Sequence, residues 1–482
     1  MKHCIPCLKI SRVPVILMVL LMLPGTVFGA GLTPGSYSGP IKTPGGDLTI
    51  VFNIETADGG ATYIATCDSP DQGAFGIPVE SVSLDGNDVT IMIPAVMGKY
   101  TGTLDDSGTK ITGQWHQSGR SMDCTVALGD KPAGPKRPQN PEPPFPYDTE
   151  DVTFSNAEGG AILAGTLTIP RGDGPFPGVV LVHGSGPNDR DETVFGHKPF
   201  LVLADHLTRQ GIAVLRYDKR GIGKSTGDIE TATSADFAAD AAAALAFLAT
   251  HDTVAGDKTG LIGHSEGGII VPHIAAAQPD TVAFIGLLAA PGVPGKELIT
   301  RQLETILKLS GADEDTLKNA LDQQKTMFDI VLNEPDPDKA TAKLDAEMEK
   351  RHAALTEEEK QMPGMSLEAM KLSAQQVNSP WFRYFLTKDP RVDLVKVTCP
   401  VLALWGGKDC QVVPEQNRPE IEKALQAAGN TKVTFKTFPG VNHLFQTAET
   451  GLPGEYAQIE ETVSPEVLNF ISGWILGLYK TP

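Results

Sequence analysis

The stretch TGLIGHSEGGII, from Thr259 to Ile270, decides the fold of the larger part of this chain. An apolar run typical of a buried strand leads into a glycine-flanked bend, and an apolar run typical of a helix follows it. Residues 263–267 (GHSEG) also match G-x-S-x-G, a nucleophile elbow whose serine occupies a strained turn that tolerates only glycine at its flanks. Since any α/β protein can contain such a packing unit, the role of Ser265 depends on partners elsewhere in the chain.

Strand-like and helix-like runs alternate on both sides of this stretch. The runs before it include VVLVHG, PFLVLADHLTRQG, IAVLRYD and SADFAADAAAALAFLATH, and those after it include VAFIGLLAA, PVLALWGG and KVTFKTFPG. This order predicts an α/β fold in which helices cover both faces of a parallel sheet. Residues 296–388 interrupt the series with charged, helical sequence, and an insertion at this point predicts a helical cap over a site.

Two further polar residues follow strands of the predicted sheet. Asp409 comes just after PVLALWGG and His443 comes after KVTFKTFPG, so both should lie at the same sheet edge as Ser265. The order serine, acid, histidine is that of an α/β-hydrolase triad. Asp389 precedes its strand and Glu415 should open the next helix, so Asp409 is the preferred acid.

An oxyanion hole is the fourth element that such chemistry needs. Residues 183–186 (HGSG) end the first strand of the series, at the loop that supplies one backbone donor in this arrangement. The residue after the nucleophile supplies the other donor. The predicted donors are therefore the backbone N–H groups of Ser185 and Glu266.

The motifs GHSEGG, HGSGPNDRDE, RYDKRGIGKSTGD, WGGKDCQV and NHLFQ together resemble the α/β-hydrolase superfamily. More narrowly, residues 148–482 resemble secreted bacterial serine hydrolases of the carboxylesterase, dienelactone-hydrolase and S9/S33-peptidase-like groups. The resemblance implies Ser265, Asp409 and His443 as the catalytic triad. It also implies that the segment SPWFRYFL returns from the cap towards the pocket with three aromatic residues, Trp381, Phe382 and Phe385.

Several charged residues near these motifs have less specific interpretations. Asp218, Lys219 and Arg220 are expected to brace the turn that follows a strand. Residues 189–192 (DRDE) could line the rim of the pocket or be solvated. His264 is expected to support the elbow from behind.

The first 30 residues have the three parts of a secretory signal peptide. A basic segment is followed by an apolar run of 11 residues, VPVILMVLLML, and by small residues up to position 30. The run is shorter than the roughly 20 residues of a membrane-spanning helix, so cleavage and export are expected, to the bacterial periplasm or the medium. An uncleaved anchor is the alternative, but no stable membrane anchor is expected.

Residues 31–130 contain short β-like runs separated by turn clusters, which predict a small β-barrel or β-sandwich. A proline-rich linker, residues 131–147, joins them to the hydrolase-like part, residues 148–482. Cys67 and Cys124 both end β-like runs in the first part, and in an oxidising compartment they are expected to form a disulfide. Free buried thiols are the alternative.

Composition limits the possible partners. A formal net charge of −19 over 482 residues argues against binding to nucleic acid or to anionic membranes. The sequence predicts neither a metal site nor a cofactor. The expected activity is cleavage of a small ester substrate through an acyl-enzyme. A peptidase that uses the same triad is the alternative, and a non-catalytic binding protein is a third interpretation; acyl length and oligomeric state stay open.

Overall fold

A computed structural model describes residues 31–43, 46–57, 62–72, 74–96, 98–117, 120–130, 135–357, 359–361 and 365–480. The predicted signal peptide, residues 1–30, and the first part of the predicted linker, residues 131–134, lie outside the described residues.

The N-terminal part is an all-β barrel. Its strands are β1 (Gly35–Thr43), β2 (Gly46–Ala57), β3 (Thr62–Ser69), β4 (Ala74–Pro78), β5 (Ser81–Asp85), β6 (Asp88–Ile93), β7 (Gly98–Leu104), β8 (Lys110–Gln117) and β9 (Arg120–Gly129). The order β2-β1-β9-β8-β7-β6-β5-β3 closes through pairing of β2 with β3, and β4 extends from β3. Alternate side chains point inward, and Tyr37, Phe52, Tyr100 and Trp115 fill the interior.

The predicted disulfide in this barrel is wrong in the structure. Cys67 on β3 and Cys124 on β9 are both buried, free thiols. β9 pairs with β1 and β8, whereas β3 pairs with β2, β4 and β5, so two strands separate the cysteines along the barrel wall. A disulfide needs Cα atoms about 4.4–6.8 Å apart, which strands in these positions do not provide along the wall. Both side chains instead pack within the apolar interior.

The second sheet is the core of the larger part. Its strands are β10 (Tyr147–Asn156), β11 (Ala161–Pro170), β12 (Phe176–Val182), β13 (Ala213–Tyr217), β14 (Val254–His264), β15 (Ile285–Leu288), β16 (Val401–Gly406) and β17 (Val433–Phe438). They lie in the order β10-β11-β13-β12-β14-β15-β16-β17. From β13 to β17 neighbouring strands are parallel, as predicted. β10 and β11 form an antiparallel hairpin, which was not predicted, and β11 also pairs antiparallel with β13.

Helices cover both faces of this sheet and form the cap. They are α1 (Pro199–Arg209), α2 (Ser234–Ala249), α3 (Gly267–Ala277), α4 (Gly295–Leu309), α5 (Glu314–Asn333), α6 (Pro337–Ala354), α7 (Leu367–Gln376), α8 (Pro380–Thr387), α9 (Arg391–Leu394), α10 (Pro414–Ala427) and α11 (Pro465–Gly477). One apolar layer contains α2, α3 and α10, and the other contains α1 and α11. Helices α4 to α8 occupy the predicted cap insertion. The fold class is therefore the predicted one, an α/β-hydrolase fold with a helical cap behind a small all-β domain.

The described part of the linker forms hydrogen bonds with the hydrolase part. Arg137 donates to the backbone oxygens of Phe195, Ala457 and Ile459 at 3.0, 2.7 and 3.0 Å. In the barrel, the backbone oxygen of Asp71 accepts from the side chain of Gln458 at 2.6 Å. The barrel and linker thus contact loops near the pocket described next.

Candidate active site

Ser265 occupies a strained turn between β14 and α3. Its φ of 52° lies in the left-handed region, which non-glycine residues rarely adopt. The glycines on either side permit the close approach of other chain segments. A Cβ atom on Gly263 would lie 2.1 Å from the oxygen of Gly267, and one on Gly267 would lie 2.2 Å from the oxygen of Val182. The local geometry is thus that of a nucleophile elbow.

Asp409 and His443 come together just beyond the carboxyl ends of β16 and β17. The His443 Nδ1 and Asp409 Oδ2 atoms are 2.8 Å apart, and both side chains are buried. The other carboxylate oxygen, Oδ1, accepts the backbone N–H groups of Gln411 and Val412, each at 2.8 Å. Because Oδ2 is an acceptor, the His443 ring carries its proton on Nδ1 and leaves Nε2 able to accept one.

The rival acids lie elsewhere in the fold. Asp389 lies before β16 and binds Arg391, with Oδ1 2.8 Å from the guanidinium Nε. Glu415 is in the first turn of α10, as expected from the sequence.

A cavity of about 350 Å³ lies beneath the cap, and residues of the predicted active site border it. Ser265, His443 and Ser185 all line it. Among the described residues, His443 is hydrogen-bonded through Nδ1 to Asp409, and no hydrogen bond joins it to the Ser265 hydroxyl. The remaining walls are Gly184, Asn188, Glu192, Val194, Phe195, His264, Leu298, Ile299, Gln302, Trp381, Phe385, Gln411, Val412, Leu444, Pro453 and Tyr456.

Two of the three predicted aromatic residues line this cavity. Trp381 and Phe385 stack with ring centroids 5.0 Å apart, and both border the open space. The pocket assignment of Phe382 is wrong, because its ring packs against Phe328 at 6.1 Å inside the cap. The three share one short helix, α8, whose successive side chains point in different directions.

The predicted oxyanion donors are close to the elbow. A Cβ atom on Gly184 would lie 3.2 Å from the Ser265 Cβ, so the loop that carries Ser185 runs against the nucleophile. Within the described part of the chain, the backbone N–H groups of Ser185 and Glu266 have no hydrogen-bond acceptor. Two unpaired donors beside the serine are what a developing oxyanion requires.

His264 and Glu192 form a buried pair behind the triad. His264 Nδ1 lies 3.2 Å from Glu192 Oε1, and its Nε2 lies 3.1 Å from the backbone oxygen of His443. Because both partners are acceptors, these two contacts favour a proton on each ring nitrogen, that is, the cationic ring. Burial opposes this charge, but the Glu192 carboxylate raises the pKa of His264 overall. In turn, burial opposes ionisation of Glu192, while the His264 charge and the N–H of Gly184 hold its pKa below the usual value.

Other charges near the site act as braces, as the sequence suggests. Arg190 binds Asp218 at 2.8 Å, and Arg220 binds Asp240 at 2.7 Å. Among the described residues, no cluster of histidine, cysteine and acidic side chains could hold a metal ion.

Sequence reasoning missed part of the cavity wall. Leu298 and Ile299 come from α4, and Tyr456 comes from a short 3₁₀ helix, Pro453–Gln458. No motif marks these residues, because an apolar side chain in a cap helix has the same pattern whether it packs in the cap or borders a cavity. Glu192 was placed only at a possible rim, whereas its carboxylate is buried.

Comparison with known proteins agrees with this geometry. The family model of the serine aminopeptidases (S33) matches residues 197–449, which is more than half of the chain. The chain belongs to this family of α/β-hydrolases. It is also 30% identical over 337 residues to the esterase EstD of Thermotoga maritima, across 69% of this chain and 68% of that relative. The chain is therefore a carboxylesterase-like serine hydrolase, as the sequence predicts.

Two solved structures resemble the chain more distantly. An esterase of Pyrococcus furiosus is 15% identical, with a TM-score of 0.43 and coverage of 73% of this chain and 100% of that chain. A proline iminopeptidase of Mycobacterium smegmatis is 18% identical, with a TM-score of 0.38 and coverage of 68% and 98%.

Proposed function

We propose that this protein is an exported serine hydrolase that cleaves carboxylic esters through an acyl-enzyme on Ser265. His443 acts as general base and then as general acid, and Asp409 orients it. The observation that carries the proposal is the contact of 2.8 Å between His443 Nδ1 and Asp409 Oδ2, at the wall of the cavity that Ser265 also lines.

The reaction has two matched halves. His443 Nε2 takes the proton of the Ser265 hydroxyl as Oγ attacks the ester carbonyl, and the oxyanion binds the N–H groups of Ser185 and Glu266. His443 then gives the proton to the leaving alcohol, and the acyl group stays on Oγ. Water repeats the cycle, releases the carboxylic acid and restores the serine. Asp409 accepts the Nδ1 proton of His443 in a hydrogen bond and stabilises the imidazolium.

The cavity supports a neutral, apolar acyl group. Apolar side chains such as Leu298, Ile299 and Phe385 form much of the wall. Among the described lining residues, Glu192 is the only carboxylate, and it is already paired with His264. A buried charge that has its counter-ion gives little reason to favour a charged substrate.

A peptidase is the second candidate, because the matching family is named for serine aminopeptidases. An aminopeptidase binds the ammonium of its substrate, for which a carboxylate is the natural partner. Glu192 Oε2 is buried and has no hydrogen-bond partner among the described residues. Activity on an aminoacyl anilide that disappears in Glu192→Gln would favour this candidate over the esterase.

Export is supported by the sequence of residues 1–30. Across the described residues, no helix combines the length and hydrophobicity needed to span a bilayer. Separating periplasm, medium and membranes from cells that express the full chain, and sequencing the mature N-terminus, tests this part of the proposal.

The catalytic part is tested by labelling and turnover. A fluorophosphonate probe should label Ser265 in the wild type, and Ser265→Ala should lose both labelling and p-nitrophenyl ester hydrolysis. Ser310→Ala, an exposed serine at the end of α4, is the matched control and should behave as the wild type. Labelling of another serine, or ester hydrolysis by Ser265→Ala near the wild-type rate, would contradict the proposal.

A further inference from the structure

Lys219 is a lysine buried beside the elbow, with 3% of its surface exposed. It follows β13, and its Nζ donates to the backbone oxygens of Gly184 and Gly186 at 2.9 and 3.1 Å. The same ammonium lies 3.5 Å from Oε2 of Glu266, whose side chain is fully buried. Removing two charges from water is costly, so such a pair persists only where the surrounding groups hold both ions.

The bond to Gly184 acts on the first oxyanion donor. The carbonyl of Gly184 and the N–H of Ser185 belong to one planar peptide group and point in opposite directions when that group is trans. Whatever fixes the carbonyl therefore also fixes the direction of the N–H. Asn188 donates to the same carbonyl oxygen at 2.9 Å, so two donors hold this peptide plane.

The ion pair with Glu266 acts on the second donor and on the cap. Glu266 Oε1 accepts the hydroxyl of Ser234 at 2.6 Å and the indole N–H of Trp381 at 2.7 Å. Glu266 Oε2 has no hydrogen-bond partner among the described residues, so the Lys219 ammonium is its nearest compensation. One carboxylate thus joins the residue after the nucleophile to the cap helix α8, and it faces the Lys219 ammonium.

Neighbouring ion pairs differ from this one. In the Arg220–Asp240 and Arg190–Asp218 pairs, a guanidinium meets a carboxylate directly at 2.7 and 2.8 Å. The shortest bonds of Lys219 go instead to main-chain oxygens that flank Ser185, which a brace for the sheet would not need.

We propose that Lys219 is a positioning residue of the oxyanion hole, which orients the Ser185 N–H through the Gly184 carbonyl and holds Glu266 and the attached cap. Lys219 keeps its proton and does not touch the substrate. This inference rests on the proposed function, because the two N–H groups stabilise an oxyanion only if Ser265 attacks a carbonyl.

The test replaces the ion pair by uncharged groups. Lys219→Met with Glu266→Gln removes both charges, so neither is left unpaired, and the glutamine retains an oxygen for Trp381 and Ser234. Lys219→Gln with Glu266→Gln is a second variant, in which two neutral amides replace the pair. Lys224→Met is the matched control, since this lysine is exposed and its Nζ forms an ion pair with Asp151 at 3.7 Å on the surface.

The readouts are kcat and KM for a p-nitrophenyl ester and the affinity for an alkyl trifluoromethyl ketone, which adds to a serine and places an oxyanion in the hole. Loss of an oxyanion donor lowers kcat by about 10²–10³-fold, so a fall of that order is expected with KM nearly unchanged. Affinity for the ketone should fall by the same factor as kcat/KM. Lys224→Met should match the wild type.

Circular dichroism and thermal melting identify the variants that fold. A folded Lys219→Met with Glu266→Gln variant that keeps wild-type kcat, or whose loss lies in KM alone with unchanged ketone affinity, overturns the inference, because methionine cannot donate to the Gly184 carbonyl. Ser265→Ala is measured in parallel. If Ser265→Ala stays active, the proposed function itself fails; if it is inactive while the Lys219 variants turn over normally, only the role of Lys219 fails.

Discussion

Replacing Asp409 by asparagine tests whether Asp409, rather than Asp389 or Glu415, is the acid that orients His443. The result can be worked out from the structure because the two carboxylate oxygens of Asp409 have different partners. Oδ1 accepts the backbone N–H groups of Gln411 and Val412, each at 2.8 Å, and Oδ2 faces His443 Nδ1 at 2.8 Å. Two N–H donors require an acceptor, so the carbonyl oxygen of the asparagine should stay at the Oδ1 position. Its NH₂ group is then directed at His443.

The size of the effect follows from this geometry. An NH₂ group can only donate, so His443 Nδ1 must accept and the ring proton moves to Nε2. That tautomer cannot take the proton of Ser265, and the carboxylate that would stabilise the imidazolium is gone. A forced tautomer of this kind lowers kcat by about 10⁴-fold, which corresponds to about 5 kcal/mol of barrier. The fold should persist, since both backbone hydrogen bonds to the side chain remain.

Steady-state hydrolysis of a p-nitrophenyl ester at neutral pH measures this effect, with thermal melting to establish folding. Asp389→Asn is the control, because Asp389 binds Arg391 before β16. Asp389→Asn should mainly lower the melting temperature and should change kcat little. If Asp409→Asn keeps kcat within about tenfold of the wild type, the Asp409–His443 contact is not a catalytic one and the acid lies on another loop.

Three further outcomes are expected. Trp381→Ala should enlarge the cavity and shift the preferred acyl chain to longer esters, whereas Phe382→Ala should lower the melting temperature without changing the ester profile; equal profiles in both variants would contradict the pocket geometry. Glu192→Gln should weaken folding most between about pH 4.5 and 6.5. The pKa of His264 is raised, so its contribution to the free energy of unfolding is complete below its ordinary pKa of 6.5 and is lost as the pH rises through the pKa of the folded state. The pKa of Glu192 is lowered, so its contribution is complete above its ordinary pKa of 4.5 and is lost as the pH falls through the pKa of the folded state. Urea unfolding of both proteins across this range measures the difference, and a difference independent of pH would refute the pair. The two barrel thiols, whose pKa values burial raises to about 12, should react with Ellman's reagent only after unfolding, and peptide mapping that finds them linked would contradict the free thiols of the structure.

The placement of the candidate triad was predictable from sequence because it follows from a rule of parallel sheets. The carboxyl ends of parallel strands lie at one edge, so residues just after β14, β16 and β17 must be neighbours wherever the helices lie. Ser265, Asp409 and His443 needed only the strand boundaries and the chain order. The same rule indicated that Asp389, which precedes β16, lies at the wrong edge.

The hairpin of β10 and β11 was not predicted, because β10 lacks the apolar pattern of a buried strand. β10 is an edge strand in which buried and exposed residues are mixed, and the sequence YDTEDVTFSN contains few apolar residues. The buried strands of a parallel series are continuous apolar runs, and β10 is not such a run. The disulfide failed differently: spacing along a chain does not state which strands of a closed barrel are adjacent, and that order depends on all the pairings between them.

Charged residues near the elbow resisted prediction because their environment comes from distant segments. Glu192 meets His264, 72 positions away, and Lys219 meets backbone oxygens 35 and 33 positions away. In sequence, DRDE could line the rim of the pocket or be solvated, and DKRG was expected to brace a turn. Nothing local distinguishes a lysine that braces a turn from one that holds a peptide plane. The distinction lies in the acceptor. A brace needs only a carboxylate of opposite charge, and exchanging it for another close pair should leave turnover unchanged. A lysine whose ammonium binds the carbonyl on the other side of a catalytic N–H can be exchanged only for a group that donates in the same direction, so its substitution should affect turnover even where the fold tolerates it.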